Sequence, residues 1–108
     1  MKTNDLIAGL PGETLVRQGL ADLQSGRRTI SACLVGIARG RLRHAGLLVG
    51  TEALAPEEPE LQLYRLLRHE GGDAYSRYNS LLRELVSFEQ ALDRRRNRGD
   101  EARVKTNT

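Results

Sequence analysis

The sequence is poor in the residues that most often announce a function. It has one cysteine, two histidines, no tryptophan, one phenylalanine and three prolines in 108 residues. A single cysteine, Cys33, excludes an internal disulfide framework and fits a reduced, cytoplasmic protein. No apolar run approaches the roughly 20 residues that cross a bilayer. The N-terminal Met1-Lys2-Thr3-Asn4-Asp5 does not lead into a signal-peptide core, because Gly9, Pro11, Gly12 and Glu13 interrupt it. His69 beside Glu70 is too little for zinc, which wants three or four ligands at set spacing, so no metal and no cofactor are expected. There is no P-loop spelling, no GxGxxG, no GxSxG and no paired-carboxylate pattern, and therefore no reason to name an enzyme. Cys33 sits among Ala32, Leu34 and Ile37, surroundings that raise a thiol pKa and suit a small core residue.

What is present is helical periodicity. From Asp73, an N-cap candidate behind Gly71 and Gly72, the residues Tyr78, Leu81, Leu82, Leu85, Phe88 and Leu92 recur at spacings of three and four. They predict one long amphipathic helix over 73–98, roughly 35–40 Å in length. Such a helix is marginal alone in water and needs partners. Three shorter segments supply them. One helix starts near Glu13 and offers Leu15, Val16, Leu20 and Leu23, with Gly19 costing it about 1 kcal/mol relative to alanine. Ser25-Gly26 ends it. A second is capped by Thr29 and runs to about Ala45, with Ile30, Cys33, Leu34, Ile37, Ala38 and Leu42 on its apolar side. A third opens at Pro59, where a missing N–H is no loss, and carries Leu61, Leu63, Tyr64, Leu66 and Leu67. Leu47-Leu48-Val49 has no strand to pair with and reads as buried connection. Residues 50–60, with Pro56, Pro59 and four glutamates, read as a solvated loop.

The expected fold is therefore all-α: a small bundle of about four helices with a long C-terminal helix. The expected organisation is an N-terminal strap over 1–12, one bundle domain over 13–98, and a disordered basic tail over 99–108.

Charge is segregated. Residues 1–50 hold seven basic against three acidic groups, residues 51–92 four against eight, and residues 93–108 six against three. The net charge of +3 thus equals that of the last segment, and a high pI does not by itself make the body a polyanion binder.

Five sets of residues are candidates for function. Ala32, Gly36 and Gly40 repeat every four residues and form a small-residue ridge that lets another backbone approach, within the bundle or across a dimer axis. Tyr75, Arg77, Tyr78 and Asn79 form a dense polar-aromatic patch; packing of both rings in the bundle is the ordinary reading. Arg94, Arg95, Arg96 and Arg98 form the strongest charge run, suited to an acidic partner, to phosphates, or to a solvated helix end. No aromatic interleaves them for base stacking. The arginines of the second helix repeat the theme more weakly.

The fifth set is Arg39 and His44, in Arg39-Gly40-Arg41-Leu42-Arg43-His44. This R-x4-H spelling resembles the short motif of HEPN ribonucleases, which are small all-α bundles and often dimeric. The resemblance implies a metal-independent cut of RNA, with His44 in proton transfer and Arg39 on the phosphate.

The sequence therefore leads to a small cytoplasmic helical protein acting as a protein-interaction module and forming a homodimer. Nucleic-acid binding through the basic second helix and the C-terminal arginines is the alternative, with a HEPN-like ribonuclease behind it. No membrane partner is expected.

Overall fold

The structure is a computed structural model that describes the backbone of residues 6–47 and 56–106, with side chains as far as Asn97. It is all-α, with no strand among the described residues. Five helices follow in order: α1 (Glu13–Gln24), α2 (Ile30–Ile37), α3 (Arg39–His44), α4 (Pro59–Glu70) and α5 (Ala74–Thr106). No helix among the described residues is long and apolar enough to cross a membrane.

The helix starts follow their caps. The Thr29 hydroxyl accepts from the Ala32 N–H at 3.1 Å, and Asp73 accepts from the Ser76 N–H at 3.0 Å and from its hydroxyl at 2.8 Å. These contacts hold the Asp73 carboxyl below its ordinary pKa. Pro59 takes the first position of α4 behind Glu58, whose φ of 48° is left-handed.

From Glu13 onward, among the described residues, the count is five helices rather than about four, because the expected second helix is two. The break is at Ala38, with φ −87° and ψ 8°, midway between Gly36 and Gly40. Glycine lowers helix propensity on both sides of the turn. The bend keeps both Ala38 (1% exposed) and Leu42 (0%) in the core. At the other end, α5 does not stop at Arg98, where the sequence reading ended it; its backbone is helical to Thr106. At 33 residues it is about 50 Å long, close to the 56 Å long axis of the molecule.

The centre of the fold is α2. Ala32, Cys33, Leu34, Val35 and Gly36 are consecutive and all buried, so no side of this helix faces solvent over that stretch. It packs against α1, α3, α4 and α5. Ile7, Val16, Leu23, Leu63, Leu67, Leu85, Phe88 and Leu92 complete the core, each no more than 4% exposed.

Two glycines make the packing possible. A Cβ on Gly19 would lie 2.8 Å from the Ser31 carbonyl carbon, and closer still to its oxygen and to a Val35 methyl. The backbones of α1 and α2 therefore touch there. A Cβ on Gly36 would meet Pro59 Cβ at 3.1 Å and Pro56 Cδ at 3.3 Å. Pro56 is fully buried, whereas Glu57, Glu58 and Glu60 are exposed, so the described part of the expected loop is solvated apart from its prolines. Residues 48–55, which include the rest of that loop and Leu48-Val49, lie outside the described residues.

Polar contacts tie down the chain ends and turns. Asp22, 4% exposed, accepts from the Thr29 hydroxyl at 2.5 Å and from Gln18 Nε2 at 2.9 Å. The Thr29 hydroxyl, and secondarily Gln18, holds the Asp22 carboxyl below its usual pKa. Arg95 Nη1 donates to the carbonyls of Leu6 at 2.9 Å and Ala8 at 2.8 Å, which clamps the strap over the core. The Gly9 N–H donates to Glu13 Oε1 at 2.8 Å and, with Arg17, keeps that carboxyl low.

Candidate functional site

The structure distributes the candidate residues over three places. Ala32 and Gly36 lie inside the fold, where the close neighbour of Gly36 is the Pro56–Pro59 segment of the same chain. Gly40 is exposed, with no neighbouring element within 4 Å of where a Cβ would stand. The ridge is therefore used within the bundle over its first two members.

The patch at the start of α5 divides. Tyr78 is half-buried and meets Tyr64 edge-on, with ring centroids 5.7 Å apart. Arg77 pairs with Glu70 at 2.8 Å across the α4–α5 turn, an exposed contact of the kind that contributes little. Tyr75 does not pack in the bundle as the sequence reading expected: it is 66% exposed. Asn79 opens onto a groove of about 620 Å³ with Leu82, Arg83, Val86 and Ser87.

Tyr75, Asn79, Leu82 and Val86 share a stripe. Their spacings of four, three and four place them within about 60° of arc on α5. Val86 is 47% exposed. Leu81, Leu85, Phe88 and Leu92 lie on the core side, so this second stripe runs along the flank of the helix. Leu82 belongs to its edge, half-buried.

The third place is where α3 meets α5. Arg41 pairs with Asp93 through Nη1 and lies 3.5 Å from Glu89 through Nε. Burial raises the Glu89 pKa, and the Arg41 charge opposes that rise only in part. Gly40, Arg41, His44, Asp93 and Arg96 line an open cleft of about 380 Å³. Two basic segments far apart in sequence thus meet at one end of the bundle.

Arg39 and His44 do not meet there. Five residues of α-helix leave two side chains about 140° apart. Three residues leave them about 60° apart, so Arg41, not Arg39, shares a flank with His44. Of the C-terminal run, Arg94 is exposed, Arg95 holds the strap and Arg96 lines the cleft. The side chain of Arg98 lies outside the described residues.

Cys33 is a free thiol buried in the core, and burial pushes its pKa up. Among the described residues, no three His, Cys, Asp or Glu side chains gather to hold a metal ion. No family model matches the chain, and neither a curated protein nor a solved structure matches it.

Proposed function

We propose that this chain is a cytoplasmic interaction module that pairs with a second copy of itself through the flank of α5. One observation carries the reading: Tyr75 and Val86 stand 66% and 47% exposed on one stripe, beside a groove floored in part by Leu82. Two large, exposed apolar side chains at the ends of one stripe, with a groove and the half-buried Leu82 between them, favour a protein partner over water.

The second copy suits this face better than an unrelated helix for two reasons. The stripe occupies residues 75–86 near the start of a 33-residue helix, and its spacings of four, three and four are symmetric about their midpoint, so two antiparallel copies can bring their stripes into register. Centred between Ser80 and Leu81, that arrangement brings Tyr75 of one copy level with Val86 of the other and Asn79 level with Leu82, so the exposed apolar groups face each other.

The test is sedimentation equilibrium on the wild type and Val86→Glu. The wild type is expected to show a concentration-dependent dimer. Val86→Glu is expected to be monomeric with an unchanged circular dichroism spectrum, because a half-exposed side chain can be replaced without opening the core. A wild type that stays monomeric at several hundred micromolar overturns the proposal.

A further inference from the structure

The cleft between α3 and α5 carries chemistry that the apolar flank does not use. Among the described residues, its charges are unevenly satisfied. Arg41 is engaged by two carboxylates, Asp93 and Glu89, and these hold it in place. Arg96 and His44 line the same cleft with no hydrogen-bond or ion-pair partner among the described residues. Arg96 is half-buried and His44 exposed. Gly40 completes the lining without a side chain, and nothing occupies the space where its Cβ would be.

We propose that this cleft binds a phosphate group. Three donors converge on it with different roles. Arg96 offers a planar guanidinium whose paired N–H groups match two oxygens of a phosphate. His44 offers a ring N–H beside it. Arg41 uses Nε and Nη1 on the carboxylates and keeps further N–H groups, on a guanidinium already immobilised by those contacts. Gly40 lets a phosphate approach the α3 backbone without a steric barrier. Asp93 also lines the cleft and, with Glu89, offsets the charge of Arg41, so the positive charge left to face an anion is that of Arg96, and Arg41 contributes its remaining N–H groups.

The cleft is open and about 380 Å³ in volume, so it admits the phosphate of a small molecule or one phosphate of a strand passing over it. The shared chemistry is a phosphate with at least two free oxygens. The two sources are told apart by experiment.

The test measures binding to the intact chain by fluorescence anisotropy with labelled oligo-dT. A parallel titration with inorganic phosphate follows the His44 imidazole signals by NMR. If the source is a strand, oligo-dT binds at low salt. Arg96→Gln then weakens it about tenfold, the effect of one lost charge-assisted contact, and lowers the salt slope by about one. If the source is a small molecule, inorganic phosphate shifts the His44 signals, and oligo-dT binds no more tightly than phosphate does. In either case Asp93→Asn strengthens binding by removing the opposing charge, a change that lost structure would not produce. Arg65→Gln, an exposed arginine on α4, leaves binding unchanged. The proposal is overturned if neither probe binds, or if Arg65→Gln weakens binding as much as Arg96→Gln.

Discussion

Gly19→Ala and Gly40→Ala are the same chemical change with opposite expected signs. Alanine is about 1 kcal/mol better than glycine inside a helix, so propensity alone makes both substitutions stabilising. The surroundings decide otherwise. At Gly40 nothing lies within 4 Å of the added methyl, and the residue is exposed in the first turn of α3. The gain there is expected in full or in part, about 0.5 kcal/mol or somewhat more. At Gly19 the methyl falls on the Ser31 carbonyl group and a Val35 methyl. A flexible side-chain tip can swing away, but a helix backbone cannot. Overpacking of this kind costs about 1–3 kcal/mol, and an unyielding backbone puts it at the upper end.

Subtracting the propensity gain leaves Gly19→Ala destabilised by about 2 kcal/mol. For a chain of this size that lowers Tm by roughly 8–12 °C. Urea unfolding followed by circular dichroism at 222 nm checks it, with the slope required to stay constant so that the change is one of stability. A Gly19→Ala protein as stable as the wild type would refute the reasoning. It would mean that α1 and α2 separate without loss, and that α2 is not the tightly enclosed centre described above.

Two other substitutions probe the polar contacts. Thr29→Val removes the α2 cap, worth about 1 kcal/mol, and a hydrogen bond to a buried carboxylate, worth about 1.5–3 kcal/mol. A Tm lower by roughly 10 °C or more is expected. It also has a pH signature. The Asp22 carboxyl titrates low in the fold, so its stabilisation is present above the unfolded pKa of about 3.9 and is lost as pH falls through the folded value. Thr29→Val raises that folded value and moves the acid limb of the stability curve to higher pH; an acid limb that does not move contradicts the assignment. Arg95→Ala leaves the Leu6 and Ala8 carbonyls without their guanidinium donor and is expected to cost about 1–2 kcal/mol. Amide exchange should quicken across residues 6–10 more than in α2, and uniform quickening would show that the clamp is not local.

Much of the fold is legible in the sequence because it depends on local rules. The starts at Thr29, Pro59 and Asp73 follow from caps and proline geometry, which act within four residues. The stripe ending in Leu85, Phe88 and Leu92 follows from period. The break at Ala38 is not legible, because nothing in Ile37-Ala38-Arg39 opposes a helix. It is favoured by what Leu42 gains on the far side of the turn. Gly19 is misleading for the same reason: read locally it is a propensity cost, whereas in the fold it is the contact that lets two backbones meet. Asp22 gives no local sign of burial, since its partner is a hydroxyl seven residues away.

The two proposed surfaces differ in how far sequence could have found them. Tyr75, Asn79, Leu82 and Val86 have helical spacing and could have been read as a second stripe. The stronger core stripe beside them claims Leu82 and hides the rest. Only their exposure separates a flank from a core edge. The α3–α5 cleft has no such pattern, because its members come from positions 40–44 and 93–96. Arg41 and Asp93 become neighbours only once α2 has placed α3 against the long helix. The R-x4-H spelling names a histidine that lines this cleft and an arginine that, by helical geometry, does not share its flank. A spacing of five separates two side chains on a helix, whereas a spacing of three joins them. The arginine that aligns with His44 on its own helix is Arg41, and the other arginine of the cleft is Arg96, from the other end of the chain.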